Sequence, residues 1–382
     1  MTPRRTARRD DLTRVEIMAL LGAAGPLDRR QIATRLGLGV ATVHEHTARL
    51  LQSGYLEALE PQADGVGRPR IPLRVLPRAA ATLGVRIAAD HLVAVVVALD
   101  GDIVTADRYP FDPRLDPVPQ VVDVIHRHLK DESHGAQIRG VGVATPDPVD
   151  PATGYIRFAP RFGWTDLPLG ERLRDRLPVP VLVDNDIRAS TTTELLYGAG
   201  REHDDFLVLG IGDGVGLGAV LHRRVHRSPS GLSGEFGHTP ISDSGPPCGC
   251  GARGCLETFT NDTAVLRAAR EAGVADAGTT IDDLRRRAAD GDPALAEPLA
   301  EIGAILGRAV AGVVNVLGTP TIAIIGENYC LWPGLAPGFM AAMRASPVAA
   351  AHGVSVIVRP WHDSQHARGA ASLAFAHPGT LA

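Results

Sequence analysis

Within eighteen residues the chain sets out four groups that bind soft metal ions. They are His238, then Cys248, Cys250 and Cys255 in the run Cys-Gly-Cys-Gly-Ala-Arg-Gly-Cys. One imidazole and three thiolates can close a tetrahedral zinc site with no position left open, the pattern of a structural ion rather than a hydrolytic one. Gly249, Gly251 and Gly254 let the backbone bend tightly enough to bring three sulfurs to one ion. The expected cofactor is one structural Zn2+ per chain, tying down its loop and contributing folding energy; the alternative is a loop of free thiols. Cys330 stands apart and reads as an apolar filler. A second polar group, Asp184-Asn185-Asp186, follows the apolar Val179–Val183. Carboxylates and an amide suit paired hydrogen bonds to vicinal hydroxyls, and equally a turn and helix N-cap. A third, Gly210-Ile-Gly212-Asp213-Gly214-Val-Gly216-Leu-Gly218, has glycines that could cradle phosphate or simply serve a hairpin.

The elements that must hold these groups follow from periodicity and turn residues. Thr82–Ile87, Leu92–Leu99 and Ile103–Tyr109 read as strands, with a hairpin turn at Asp100-Gly101-Asp102. A helix over Pro119–Leu129, a strand over Ile138–Ala144, a strand over Val179–Val183 and a helix over Ile187–Tyr197 come next. Phe206–Ile211 and Val215–His222 form a glycine-rich hairpin, helices dominate from Thr263 to Leu317, and Thr321–Ile325 is a last strand. Early antiparallel strands followed by strand–helix alternation indicate an α/β body. The final helix, His366–Ala376, is expected to return to the first lobe.

Ahead of that body the pattern changes. Helices are expected over Leu12–Ala23, over Arg29–Leu36 with Asp28 as N-cap, and over Val40–Ser53, where Gly54 stops the last. Tyr55–Glu60 and Ile71–Val75 read as strands around a Gly-Arg-Pro-Arg tip. Helices joined by the Gly37-Leu38-Gly39 turn and followed by a hairpin describe a winged helix-turn-helix, against a generic three-helix interaction module. Val40, Ala41, His44 and Glu45 face away from the apolar stripe of the third helix and could meet base edges. Arg49 suits phosphate, and Arg68 and Arg70 on the wing suit phosphate or a minor groove. Pro77–Ala81 reads as a linker.

Composition agrees with that division. The chain has 382 residues, 45% apolar and 21% charged, so disordered and fibrous classes drop out and two or three domains are expected. Residues 1–78 hold 13 arginines against 8 acidic residues, a balance of +5 on a chain of net charge −4, so the rest carries −9. A basic front on an acidic body suggests a polyanion partner for the front alone. The longest unbroken apolar run, Leu92–Leu99, is far short of the roughly 20 residues a membrane helix needs. MTPRRTARRDDLTR has charge with no apolar stretch behind it, so no signal peptide and a cytoplasmic protein are expected.

The block Glu235-Phe-Gly-His238 with Cys248, Cys250 and Cys255-Leu-Glu257 resembles the ROK family (repressor, open reading frame, kinase), and the resemblance extends over about residues 79–375. With the winged helix in front, the layout resembles the family's repressor branch, of which the xylose repressor is an example. The resemblance implies a two-lobed body of actin, hexokinase and ribonuclease H type with sugar in the interlobe cleft. The expected domains are 10–76 for DNA, 79–196 with 363–382 as lobe 1, and 197–362 as lobe 2. It carries sugar contacts onto Asn185, Asp186, Glu235, His238 and Glu257, with Asp186 at the position of the proton acceptor in family kinases. His238 would hold zinc by one ring nitrogen and leave the other for a hydroxyl.

Three nucleotide elements of the kinases are altered. Their Asp-x-Gly-Gly-Thr-Lys reads Arg86-Ile87-Ala88-Ala89-Asp90-His91; an alanine Cβ obstructs phosphate and an Arg cannot hold Mg2+. Asp213 stands where kinases place Thr, and a late Gly-Gly run reads Gly326-Glu327-Asn328. The family's Pro-Gly-Pro is Pro146-Asp147-Pro148, which can alter which sugar fits. The expectation is a sugar-responsive, DNA-binding repressor without catalysis. It would act on a palindromic operator as a homodimer or homotetramer and be released by its sugar, without membrane partners. The alternatives are an ATP-dependent sugar kinase with an accessory DNA-binding domain and a constitutive DNA binder with a vestigial pocket.

Overall fold

The computed structural model describes residues 4–62, 69–228, 230–346, 353–375 and 380. The chain divides into two compact units, Met1–Arg201 with Ser364–Ala382, and Glu202–Asp363.

The first unit opens with α1 (Arg4–Ala24), α2 (Arg29–Leu36) and α3 (Val40–Gln52), then the ribbon β1 (Leu56–Ala58) and β2 (Leu73–Val75). Helix α1 starts eight residues before the expected Leu12, because Arg4 to Arg9 are mostly good helix formers that an apolar stripe does not mark. Asp28 caps α2 in a capping box with Gln31, and Gly37 takes the left-handed φ of 62° that ends it. The ribbon is shorter than the expected strands: Pro72 has no N–H for the ladder, although Leu59 still donates to its carbonyl and Gln62 pairs with Arg70.

A five-stranded sheet follows: β3 (Ala81–Ile87), β4 (His91–Ala98), β5 (Ile103–Pro110), β6 (Ile138–Thr145) and, further on, β9 (Val181–Asn185). Between these lie α4 (Pro117–Lys130), the small hairpin β7 (Ile156–Ala159) and β8 (Trp164–Leu167), and α5 (Leu169–Arg174); α6 (Asp186–Tyr197) comes after β9. The order is β5-β4-β3-β6-β9, with β4 antiparallel to both neighbours and the β3–β6 and β6–β9 pairs parallel. Strand β4 is apolar on both sides. Leu92, Ala94 and Val96 join a core with α4, while Val93, Val95, Val97 and Leu99 join another.

That second core changes the expected organisation. It contains Val15, Ile17, Met18 and Leu21 of α1, Ile32 of α2 and Leu50 of α3 together with the β4 residues and Ala367, Ala371 and Phe375 of the closing helix, Ser364–Phe375. The expected linker Pro77–Ala81 is a 3-10 turn running directly into β3, with Ala80 and Ala81 fully buried. The closing helix lies on the sheet where two glycines stand. A Cβ on Gly84 would come within 1.8 Å of the Ala367 carbonyl, and one on Gly142 within 1.7 Å of that of Ala370.

The second unit carries β10 (Phe206–Ile211), β11 (Val215–Leu221) and β12 (Arg224–Val225), then α7 (Asp262–Glu271), α8 (Ile281–Ala289), α9 (Ala296–Leu317), β13 (Thr321–Ile325), α10 (Trp332–Arg344) and β14 (Ser355–Val358). Its sheet runs β12-β11-β10-β13-β14, with β10, β13 and β14 parallel. The segment Pro293–Leu317 is long and apolar enough to cross a membrane, with a mean hydropathy of 1.6, which a search for unbroken apolar runs misses. Its Leu299, Ile302, Leu306, Val310 and Val314 are buried in the core of this unit, with Leu335 and Phe339 of α10 in the same cluster.

Candidate functional site

Helix α3 presents two faces. Val43, His46, Thr47 and Leu50 are buried, while Val40, Ala41, His44, Glu45, Ala48 and Arg49 are exposed. Arg29 donates from Nε to Thr47 Oγ1 at 2.9 Å and so fixes α2 against α3. Arg49 pairs with Glu45 at 2.8 Å across one turn, both half exposed, a contact that phosphate can replace at little cost. Val40, an apolar side chain 51% exposed at the start of this helix, suits a thymine methyl. Arg70 is exposed and 3.8 Å from Asp28, and Arg74 pairs with Glu57. Arg68 lies outside the described residues.

In the same unit the polar strand ends come together. Parallel strands β6 and β9 are in register at Thr145 and Asn185. Asn185 is the N-cap of α6: its carbonyl oxygen accepts from the Ile187 and Arg188 amides, and its Nδ2 donates to the Pro146 and Asp147 carbonyls at 3.3 and 3.4 Å. The capping role open to the two aspartates thus falls on Asn185. Asp184 instead forms a buried ion pair with Arg188 at 2.5 Å, and Arg188 also donates to the Val149 carbonyl at 2.7 Å. Sequence reading missed Arg188; its i,i+4 spacing from Asp184 at a strand–helix junction was the available signal. Asp186, partly buried, opens α6. Asp147 is buried, and its carboxyl is pushed up to about 6 by that burial and by Asp186, against the Thr145 hydroxyl and Arg161.

In the second unit a 3-10 turn, Phe236–His238, and a crossed loop build the metal-ligand cluster. Bridges Pro240–Cys255 and Pro247–Arg253 fold the cysteine run on itself. Gly254, at φ 69°, lies so close to the Ser242 carbonyl that a Cβ would come within 1.7 Å. One donor atom each from His238, Cys248, Cys250 and Cys255 lies within 4.8 Å of the others, so these residues could hold a metal ion. Sγ of Cys250 and Cys255 are 3.8 Å apart, and Cys248 Sγ is 3.4 Å from His238 Nδ1. His238 Nε2 looks the other way, 3.8 Å from Glu235 Oε2. Glu257 Oε1 is 2.9 Å from Cys248 Sγ and 3.5 Å from His238 Nδ1, so both glutamates flank the cluster. Burial pushes the Cys248 and Cys255 thiols up; at the exposed Cys250, partial desolvation of the thiol is outweighed by hydrogen bonds from the Ala252 amide and the neighbouring thiols, which bring it down. Cys330 is partly buried, away from that set, its thiol 3.7 Å from the Glu327 carbonyl.

The glycine-rich hairpin β10–β11 has acidic company. Glu327 Oε2 is 2.2 Å from where a Cβ on Gly212 would stand, so this carboxylate leans on the loop. Beside it Arg285 donates to Asn328 and Asp262, both at 2.9 Å, and Asn328 donates to Asp262 at 2.7 Å.

Comparison with known proteins agrees with this anatomy. Residues 10–57 match a winged helix-turn-helix DNA-binding family. Over 378 residues, 95% of this chain and 92% of the relative, the sequence is 26% identical to the N-acetylglucosamine repressor of Escherichia coli O157:H7. It is 26% identical to the xylose repressor of Bacillus subtilis, covering 77% of this chain and 76% of that protein. A glucokinase of Thermotoga maritima is 33% identical over 60% of this chain and 76% of its own. A solved ROK family transcriptional regulator, a homologue of the E. coli MLC protein, shares the fold at a TM-score of 0.80, with 23% identity and 98% of both chains covered. The ROK family model itself matches residues 82–377, the sheet with its strand-end acids and the cysteine-bearing unit alike, and the chain belongs to the ROK family.

Proposed function

We propose that this chain is a sugar-responsive transcriptional repressor that binds operator DNA through α3 and the ribbon and is released by a sugar. The observation that carries the reading is the exposed face of α3, Val40, Ala41, His44 and Glu45, on a head that shares a core with a ROK body. Arg49 and Arg70 are exposed cations of that head, and Arg68, outside the described residues, is proposed with them from the sequence alone. Similarity to a repressor over 95% of the chain supports the same conclusion. The first unit would offer a sugar Asn185 and Asp186; the family resemblance adds Glu235, His238 and Glu257, which lie around the histidine–cysteine cluster of the second unit. Asn185 would act partly through its backbone clamp, since its side chain already caps α6.

Zinc is the metal the cluster suits. A tetrahedron with Zn–S bonds of about 2.3 Å has S···S edges of about 3.8 Å, matching Cys250 and Cys255. With four protein ligands the ion is structural: it cross-links the loop that carries Glu235 and Glu257.

The kinase alternative is favoured by Asp186 and by the similarity to a glucokinase over 60% of the chain. Against it stand Arg86 where a kinase holds its magnesium-facing Asp, Glu327 over Gly212, and the Arg285–Asp262–Asn328 network beside the hairpin. The protein is proposed to assemble as a homodimer or homotetramer on a palindromic operator.

Operator binding titrated with candidate sugars tests the reading. A coupling of about 1–3 kcal/mol would lower operator affinity about 5- to 150-fold, and operator DNA would weaken sugar binding equally. Arg70→Ala is expected to reduce the salt slope of binding by about 1, while His44→Ala shifts sequence preference. Robust phosphorylation of a sugar by Mg-ATP, lost in Asp186→Asn, would overturn the repressor reading in favour of the kinase.

A further inference from the structure

We propose that Arg188 is a positioning residue of the sugar site, a buried guanidinium that sets the placement of Asn185 and Asp186 without itself meeting the ligand. The inference rests on reading those two residues as sugar contacts. Arg188 is 1% exposed, among the largest side chains buried to that degree. It lies in the first turn of α6, and its guanidinium gathers two other segments. Nε donates to Asp184 Oδ1 at 2.5 Å, at the end of β9. Nη2 donates to the Val149 carbonyl at 2.7 Å, in the chain that follows β6. Asp184 Oδ1 also accepts from the Asn185 amide at 2.8 Å, and Asn185 Oδ1 accepts from the Arg188 amide at 3.3 Å. Asn185 Nδ2 in turn donates to the Pro146 and Asp147 carbonyls. Residues 184–188 and 146–149 are thus tied together at several points, and Asn185 and Asp186 lie between the two tied ends, Asp184 and Arg188.

Stability does not call for a charge here. Desolvating two ions costs about as much as their attraction returns, and apolar residues of similar volume in place of such a pair are often as stable or more so. What an apolar pair cannot do is hold oxygens in fixed directions. The planar fork of an arginine does so, and here it bonds one oxygen of the strand end and one of the following loop. Val149 is itself buried and bridged to Ile156, so the loop is fixed on its far side as well. Hydrogen bonds to sugar hydroxyls depend steeply on distance and angle, so a contact side chain is only as good as the backbone that aims it. Lysine keeps the charge but is a point donor on a flexible stem and cannot reproduce the fork.

The test pairs calorimetric sugar titration of the full-length protein with its urea unfolding. The probes are xylose, glucose and N-acetylglucosamine, the last two also as 6-phosphates. Asp184→Val with Arg188→Met replaces the ion pair by apolar residues of similar total volume. This double variant is expected to unfold near the wild-type urea midpoint, yet to bind the wild-type sugar about tenfold or more weakly. Arg188→Lys, which keeps a charge opposite Asp184, should also fold and bind about threefold or more weakly. Wild-type affinity in the double variant, with binding still abolished by Asp186→Ala, would overturn the proposal and leave the sugar site standing. Where the double variant does not fold, Arg188→Lys decides, and wild-type affinity there overturns the proposal equally. Weaker binding only in variants whose urea midpoint falls with it would assign Arg188 to stability alone and overturn the proposal too. Sugar binding that Asp186→Ala leaves intact, or no binding of any probe by wild type, would overturn the strand-end sugar site and the proposal together.

Discussion

At the scale of single residues, the metal ligands and the strand-end acids make opposite demands on protons. Cys248 and Cys255 are held protonated by burial, yet a metal takes thiolates, so loading must displace protons. Metal content after dialysis is therefore expected to be about one zinc per chain at pH 7.5 and to fall as the buffer is taken towards pH 5. Cys250→Ser should lose zinc and lower Tm, as elemental analysis and a thermal scan would show. Asp147 behaves as a buried acid whose folded-state value, about 6, lies above its ordinary 3.8. The folded protein then holds more protons than the unfolded chain between those values, so this group's contribution to stability falls as pH rises through that window. Asp147→Asn is expected to stabilise the protein by up to about 3 kcal/mol at pH 7 and by almost nothing at pH 3, measured by urea unfolding at the two pH values. The His238, Cys248, Cys250 and Cys255 cluster, which could hold a metal ion, was legible in the sequence because a loop brings the four together within eighteen residues. The Asp184–Arg188 pair and the Asn185 cap were not, since which of three adjacent polar residues caps the helix depends on where the strand stops.

At the scale of elements, helices with a wide apolar stripe were legible almost to the residue, as α2 and α3 show. Elements without such a stripe were not. The first two turns of α1 are basic, and the β7–β8 hairpin mixes exposed Arg157 and Phe158 with buried Ile156 and Trp164, so neither period emerges. The closing helix depends on a contact that no local pattern reveals: Gly84 and Gly142 keep the sheet low enough for its backbone to pass. Gly84→Ala puts a methyl group against a carbonyl oxygen, and the resulting shift is expected to cost about 1–3 kcal/mol in denaturant unfolding. Gly25→Ala, where a Cβ meets nothing but φ is 76°, supplies the control for backbone strain without a clash.

For the whole molecule, the helices of the head pack against the sheet of their own unit. Their common core runs from Val15 and Leu50 through Val95 and Val97 to Phe375. Val95→Ala, deep in the sheet, is expected to cost about 1–3 kcal/mol and to lower the denaturant midpoints for DNA binding and for the sheet together. Separate midpoints would show a head that folds on its own. The sequence suggested a linker at Pro77–Ala81 because Pro, Arg and alanines are frequent in connectors; burial of Ala80 and Ala81 became visible only in three dimensions.

That common core also sets a schedule for the protein's birth. Helix α1 leaves the ribosome early, but Ala367, Ala371 and Phe375, which complete the core around it, are made some 350 residues later. At ordinary rates of synthesis the gap is about 20–70 s. During that time the α1 face made of Val15, Met18 and Leu21 lacks its last cover, and a polypeptide broken off before Ser364 never receives it. A truncated product would thus carry a recognition helix on an unfinished support, open to proteases, and could not hold an operator in place of the intact repressor.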